Sequence, residues 1–134
     1  MKTLNSKNLQ FKNLCERYGV TITIAFLIFI LSVIPGKTVE YMGVGNESYH
    51  IKGHFIAYIL LCLGLYKSTK SEKKGFIITV FYGALMEYLQ RYIPGRSFEY
   101  KDILVNSFGA LVGIGIIWKR SLILPKRLKA WLEN

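Results

Sequence analysis

Glu87, Gln90, Arg96, Asp102 and Asn106 fall within one short stretch, GALMEYLQRYIPGRSFEYKDILVNSFGALVG, whose other residues are mostly apolar. Upstream, His50, His54 and Tyr58 recur every four residues, so they share one face of a helix. These residue types could do several kinds of chemistry. His54 could serve as a general base, with Glu87 or Asp102 as its acid or orienting partner. Alternatively, Arg96, Lys52 and His54 could hold a phosphate or carboxylate, with Glu87, Asp102 and Asn106 orienting them; the planar fork of Arg suits such anions. A metal on His50, His54 and a carboxylate is a variant, but His-x3-His is weak support. H-E-x-x-H is absent, and no metal or other cofactor is expected. Neither Ser97 nor Ser107 lies in a nucleophile-elbow motif. A purely structural role would need only two or three interhelical hydrogen bonds, each worth under about 1 kcal/mol. Six or more polar groups exceed that need.

The elements that must position these residues are apolar helices. Half of the 134 residues are hydrophobic, yet the chain carries a net charge of +10. The charges are clustered, leaving uncharged runs at 18–36, 54–66, 75–86 and 103–118. A bilayer core of about 30 Å takes roughly 17–25 helical residues. The pattern predicts an all-α integral membrane four-helix bundle in a single domain, 1–134. Its spans lie at about 18–35, 51–67, 75–93 and 102–119, with basic amphipathic tails at 1–17 and 120–134. Segment 22–34 is apolar on every face, unlike the one-sided helix of a soluble bundle. Val33-Ile34-Pro35-Gly36 offers no small-residue cleavage site, so the first span reads as retained rather than as a signal peptide. Cys15 and Cys62 fall at different depths, and no disulfide is expected.

Four spans put both termini on one side. Thirteen Lys and Arg then fall in the tails and the middle loop, against five on the opposite face. The positive-inside rule makes the termini cytoplasmic. The charge is therefore a topology signal, and no nucleic-acid partner is expected. Leu4, Phe11, Leu14 and Tyr18, and again Leu128, Trp131 and Leu132, recur among cations and read as basic helices lying on anionic lipid.

This orientation gathers every polar residue of interest at the extracytoplasmic end. With Pro94 and Lys52 as boundaries, Glu87 lies roughly 10 Å deep and Tyr58 about 9 Å deep, since a helix rises about 1.5 Å per residue. The two could hydrogen-bond, or Arg96 could reach down to Glu87. A buried carboxylate must be paired or protonated. Gly109 and Gly113 follow Asp102 and Asn106 on one face, which predicts a close helix contact below a polar pocket. A transporter or channel fits poorly, because the cytoplasmic half has no matching polar path.

GHFIAY and the stretch YGALMEYLQRYIPGRSFEYKDILVNSFGALVG resemble the VanZ-like family of small bacterial membrane proteins. The family pattern falls on His54, Phe55 and Tyr58; on Glu87 and Gln90; on Pro94, Gly95 and Arg96; and on Asp102, Asn106, Gly109 and Gly113. The resemblance covers residues 54–118. Family members often carry Asp-Lys shortly before the His, whereas this chain reads His50-Ile51-Lys52-Gly53-His54. The founding member is associated with low-level resistance to the glycopeptide teicoplanin. The resemblance thus implies a multi-pass protein of the bacterial cell membrane whose partners are membrane lipids and a cell-wall lipid precursor. Together with the placement of the charged residues, it favours binding of an anionic lipid-linked ligand, with Lys52, His54, Tyr58, Glu87, Gln90, Arg96, Asp102 and Asn106 as the candidate residues. The alternatives are a membrane enzyme acting on a lipid head group through His54, Glu87 and Asp102, or a structural accessory protein.

Overall fold

The computed structural model describes residues 6–43 and 45–133. Lys2 and Leu4 lie outside the described residues, as does the side chain of Lys7. Four long helices, α1 (Ser6–Val33), α3 (Glu47–Thr69), α4 (Glu72–Gln90) and α5 (Tyr100–Trp118), alternate with the short α2 (Gly36–Tyr41), α6 (Arg120–Ile123) and α7 (Lys126–Glu133). Among the described residues there is no strand.

Local chemistry sets the breaks. Pro35 ends α1 and is the N-cap of α2, as expected where the ring bars the residue before it from helical geometry. Asn46 opens α3 by accepting the Ser48 N–H at 3.0 Å, and Ser71 opens α4 by accepting the Lys74 N–H at 3.3 Å. Both satisfy an otherwise orphaned donor of a first turn. Lys70 closes α3 in the left-handed region, φ 55°. After α4 the chain turns through Gly95 at φ +74°, a conformation that costs glycine nothing.

The expected span at 18–35 is the second part of one unbroken helix that begins at Ser6. Gly19 does not interrupt it, because a lone glycine costs only about 1 kcal/mol against alanine. The other expected spans fall on α3, α4 and α5 with ends moved by a few residues.

Helix α3 is the hub, touching α1, α4, α5 and α7. Against α5 it packs backbone to backbone. A Cβ on Gly109 would stand 2.8 Å from the Phe55 carbonyl oxygen, and one on Gly113 would stand 2.9 Å from Cys62 Cβ. Gly109→Ala is therefore expected to lower stability by about 1–3 kcal/mol through overpacking. Unfolding in detergent checks this, and an unchanged midpoint would refute it. Against α1, Thr21 donates to the Gly64 carbonyl at 2.7 Å, and Arg17 Nε donates to the Ser68 carbonyl at 2.6 Å. Cys15 and Cys62 are free thiols, the first exposed and the second buried.

The C-terminal helix departs from its expected use. Leu132 is fully buried in the cluster with Ile117 and Cys62. Lys67 lies 4.4 Å over the Trp131 ring, and Lys70 Nζ donates to the Leu132 and Glu133 carbonyls, each at 3.0 Å. The apolar face of α7 thus covers the bundle, with Leu128 left exposed.

The outward faces are apolar. Phe26, Leu27, Ile77, Phe81, Leu104 and Phe108 are all exposed. Among the described residues two helices, Asn8–Val33 and Tyr100–Trp118, are long and apolar enough to cross a membrane, with mean hydropathy 1.8 and 1.4 over an 18-residue window of each.

Candidate functional site

Three helices and one loop bring the chemistry-bearing residues together at one end of the bundle. His50, His54 and Tyr58 come from the first half of α3, Glu87 and Gln90 from the end of α4, and Asp102 and Asn106 from the start of α5. Arg96 comes from the turn between α4 and α5.

Arg96 reaches across to α1. Its Nε donates to the Ile34 carbonyl at 3.3 Å, and its Nη2 donates to the Leu31 carbonyl at 3.3 Å. Cations suit the orphaned carbonyls at a helix C-terminus. Its Nη1 donates to His50 Nε2 at 2.9 Å. A guanidinium only donates, so Nε2 is the acceptor and the proton of neutral His50 sits on Nδ1. That Nδ1 faces Asp102 Oδ2 at 3.5 Å.

His54 is held by α5. Its Nδ1 lies 3.0 Å from Asn106 Oδ1. The amide oxygen accepts, so Nδ1 carries the proton and Nε2 keeps the lone pair. The two imidazole centroids are 4.4 Å apart, and the His54 ring stacks towards Tyr58 at 6.1 Å.

Glu87 is paired with neither Tyr58 nor Arg96. It is fully buried, and its Oε1 accepts the backbone N–H of Glu99 at 2.9 Å. Glu99 is the N-cap of α5, so the carboxyl lies at the positive end of that helix. The expected bond to Tyr58 is not made: the Tyr58 hydroxyl and Glu87 Oε2 each stay without a protein partner. Gly83 lets the helices close here, since a Cβ on it would stand 3.0 Å from both Tyr58 Cε1 and Asn106 Cβ.

Four buried polar atoms lack a protein partner among the described residues: the Tyr58 hydroxyl, Glu87 Oε2, Gln90 Nε2 and Asn106 Nδ2. Buried polar atoms are nearly always satisfied, and exceptions mark a role or a guest.

Two cavities meet at this cluster. An apolar groove of about 270 Å³ runs between α1, α2 and α3, lined by Ile28, Leu31, Ile34, Val39, Met42 and Ala57, with His54 and Tyr58 in its wall. A cavity of about 220 Å³ lies on the other side, lined by Glu47, Gln90, Ser97, Glu99, Lys101 and Asp102. His50 and Arg96 line both. At the outer rim Lys101 forms an ion pair with Glu47. The hydrogen bond from Lys101, and then its charge, hold the Glu47 carboxyl below its ordinary range.

Of the expected site residues, His54, Tyr58, Glu87, Gln90, Arg96, Asp102 and Asn106 converge here. Lys52 does not, being exposed on α3 and lining neither cavity. The residues that sequence reasoning passed over are the Leu31 and Ile34 carbonyls and the Glu99 N–H. Backbone groups carry no sequence signature, and Arg96 is 62 residues from Ile34.

A family model described as VanZ/LLP1 matches residues 18–124. No curated protein and no solved structure matches the chain. The matched residues run from within α1 to the end of α6 and contain every helix that builds the site. The chain belongs to the VanZ/LLP1 family.

Proposed function

We propose that this protein is a multi-pass component of the bacterial cell membrane that binds an anionic, lipid-linked cell-envelope ligand at its extracytoplasmic end. In this reading α1, α3, α4 and α5 form a four-helix membrane bundle with both termini cytoplasmic. The exposed apolar residues on all four helices support it, as does the concentration of Lys and Arg in the tails and the α3–α4 connection.

The observation that carries the ligand reading is the shared wall. An amphiphile needs a dry channel for its chain beside a polar chamber for its head group, and His50 and Arg96 stand between two such spaces. Arg96 holds neutral acceptors, two carbonyls and an imidazole. A phosphate offers it stronger, charge-assisted bonds. Through this binding the protein contributes to glycopeptide resistance, including teicoplanin resistance, by altering access to a cell-wall precursor without destroying the drug.

The test is Arg96→Ala, expressed at wild-type level. Losing a charge-assisted bond worth about 1.5–3 kcal/mol should weaken lipid-precursor binding by at least about tenfold, and teicoplanin sensitivity should rise with it. Unchanged binding and unchanged sensitivity would end this reading. A second reading, a membrane enzyme acting on a lipid head group, is favoured by His50 facing Asp102 and by the free lone pair on His54 Nε2. It requires turnover of a lipid phosphate by pure protein that His54→Ala abolishes; no such turnover removes it.

A further inference from the structure

We infer that His50, His54 and Asp102 form a binding site for one divalent transition-metal ion. A donor atom from each lies within 4.8 Å of the other two. His50 Nδ1 and Asp102 Oδ2 are already 3.5 Å apart, close to the roughly 3.3 Å edge of a tetrahedron with bonds of about 2.0–2.1 Å. Both histidines project from one face of α3, one turn apart, and Asp102 comes from the first turn of α5. These are rigid elements packed through the Gly109 seam, so the donors are held in place before an ion arrives.

The surroundings fit an ion as well as the donors do. Asn106 Oδ1 sits on His54 Nδ1, the outer partner that normally orients a metal-bound imidazole and leaves its other nitrogen as the ligand. Asn106 is almost fully buried, and its Nδ2 has no protein partner, so the side chain is spent on His54 alone. Imidazole with carboxylate suits a borderline ion such as Zn²⁺. Three protein donors leave coordination positions open, and those positions are what a phosphate oxygen would take.

Arg96 competes with the metal for His50. Coordination through Nδ1 moves the imidazole proton to Nε2, and Arg96 must then let go of that atom. It keeps the Leu31 and Ile34 carbonyls as acceptors, so its Nη1 is released towards the polar cavity. This predicts that removing the neighbouring cation tightens metal binding, by freeing His50 Nε2 and by taking away a like charge.

The measurement is Zn²⁺ titration of the full chain in detergent, without any lipid ligand. The chain has only two histidines, so two imidazole resonances in wild-type protein report the site directly. Both should shift together and saturate at one ion per chain. Asp102→Asn and His54→Gln should each weaken binding at least about tenfold, and Asn106→Ala should weaken it about 10–100-fold. Arg96→Gln should strengthen it several-fold, and Lys52→Ala should leave it unchanged. Wild-type resonances that do not move with Zn²⁺, or that move one without the other, overturn the site. Affinity equal in wild type and Asp102→Asn does the same. The titration contains no lipid, so it stands or falls independently of the lipid-ligand reading.

Discussion

Gly36→Ala is expected to cost about 3 kcal/mol, the upper end of what overpacking usually costs, and to disorganise the outer end of the molecule. The new Cβ would stand 1.9 Å from the carbonyl oxygen of Gly95 and 2.6 Å from its carbon. Both are backbone atoms, so no side-chain rotation relieves the clash. The Gly36 N–H donates to the Pro94 carbonyl at 3.1 Å, which holds the two strands of loop together from the other side. Arg96 follows directly, so pushing Gly95 away also pulls Arg96 from His50 and from the end of α1. Thermal unfolding in detergent should show a lower midpoint, and the His50 imidazole resonance should shift. A variant with the wild-type midpoint and an unmoved resonance would show that this contact is dispensable.

Glu87→Ala is expected to cost about 2–4 kcal/mol, because it leaves a cavity where a fully buried side chain stood and takes the acceptor from the Glu99 N–H. Glu87→Gln should stay within about 1 kcal/mol of wild type, since its amide oxygen still accepts that N–H and its volume is unchanged. The pair separates two roles. Glu87 lines neither cavity; it is a positioning residue that fixes where α5 starts, and so where Asp102 stands relative to His50. Glu87→Ala should therefore move the His50 resonance, while Glu87→Gln should not. If the two variants prove equally stable, the hold of Glu87 on the N-terminus of α5 is not what keeps the site together.

Much of this was legible in the sequence because it rests on side-chain periodicity. The four-residue spacing of His50, His54 and Tyr58, and of Asp102 and Asn106, puts each set on one helical face, and the structure turns those faces towards one another. The glycines at 109 and 113 announced a close contact, and α3 is what they contact. What stayed hidden depends on where the chain comes back to itself. Glu87 and Arg96 each chose backbone groups, which every residue possesses, so no residue type could have pointed to them. Charge does not mark the start of α1, which runs unbroken from Ser6. Helix propensity, with no proline before Pro35, runs through the charged and apolar parts alike. The C-terminal helix is a related case: amphipathicity says that a face wants cover, not whether lipid or protein supplies it.

The position of α5 after α3 and α4 has a consequence for synthesis. Its first residues supply the partner of His54, the counterpart of His50 and the donor to Glu87, and its glycines close the seam with α3. During synthesis α3 and α4 therefore emerge before their partners do, and His54 and Glu87 stay without theirs until the start of α5 has been made.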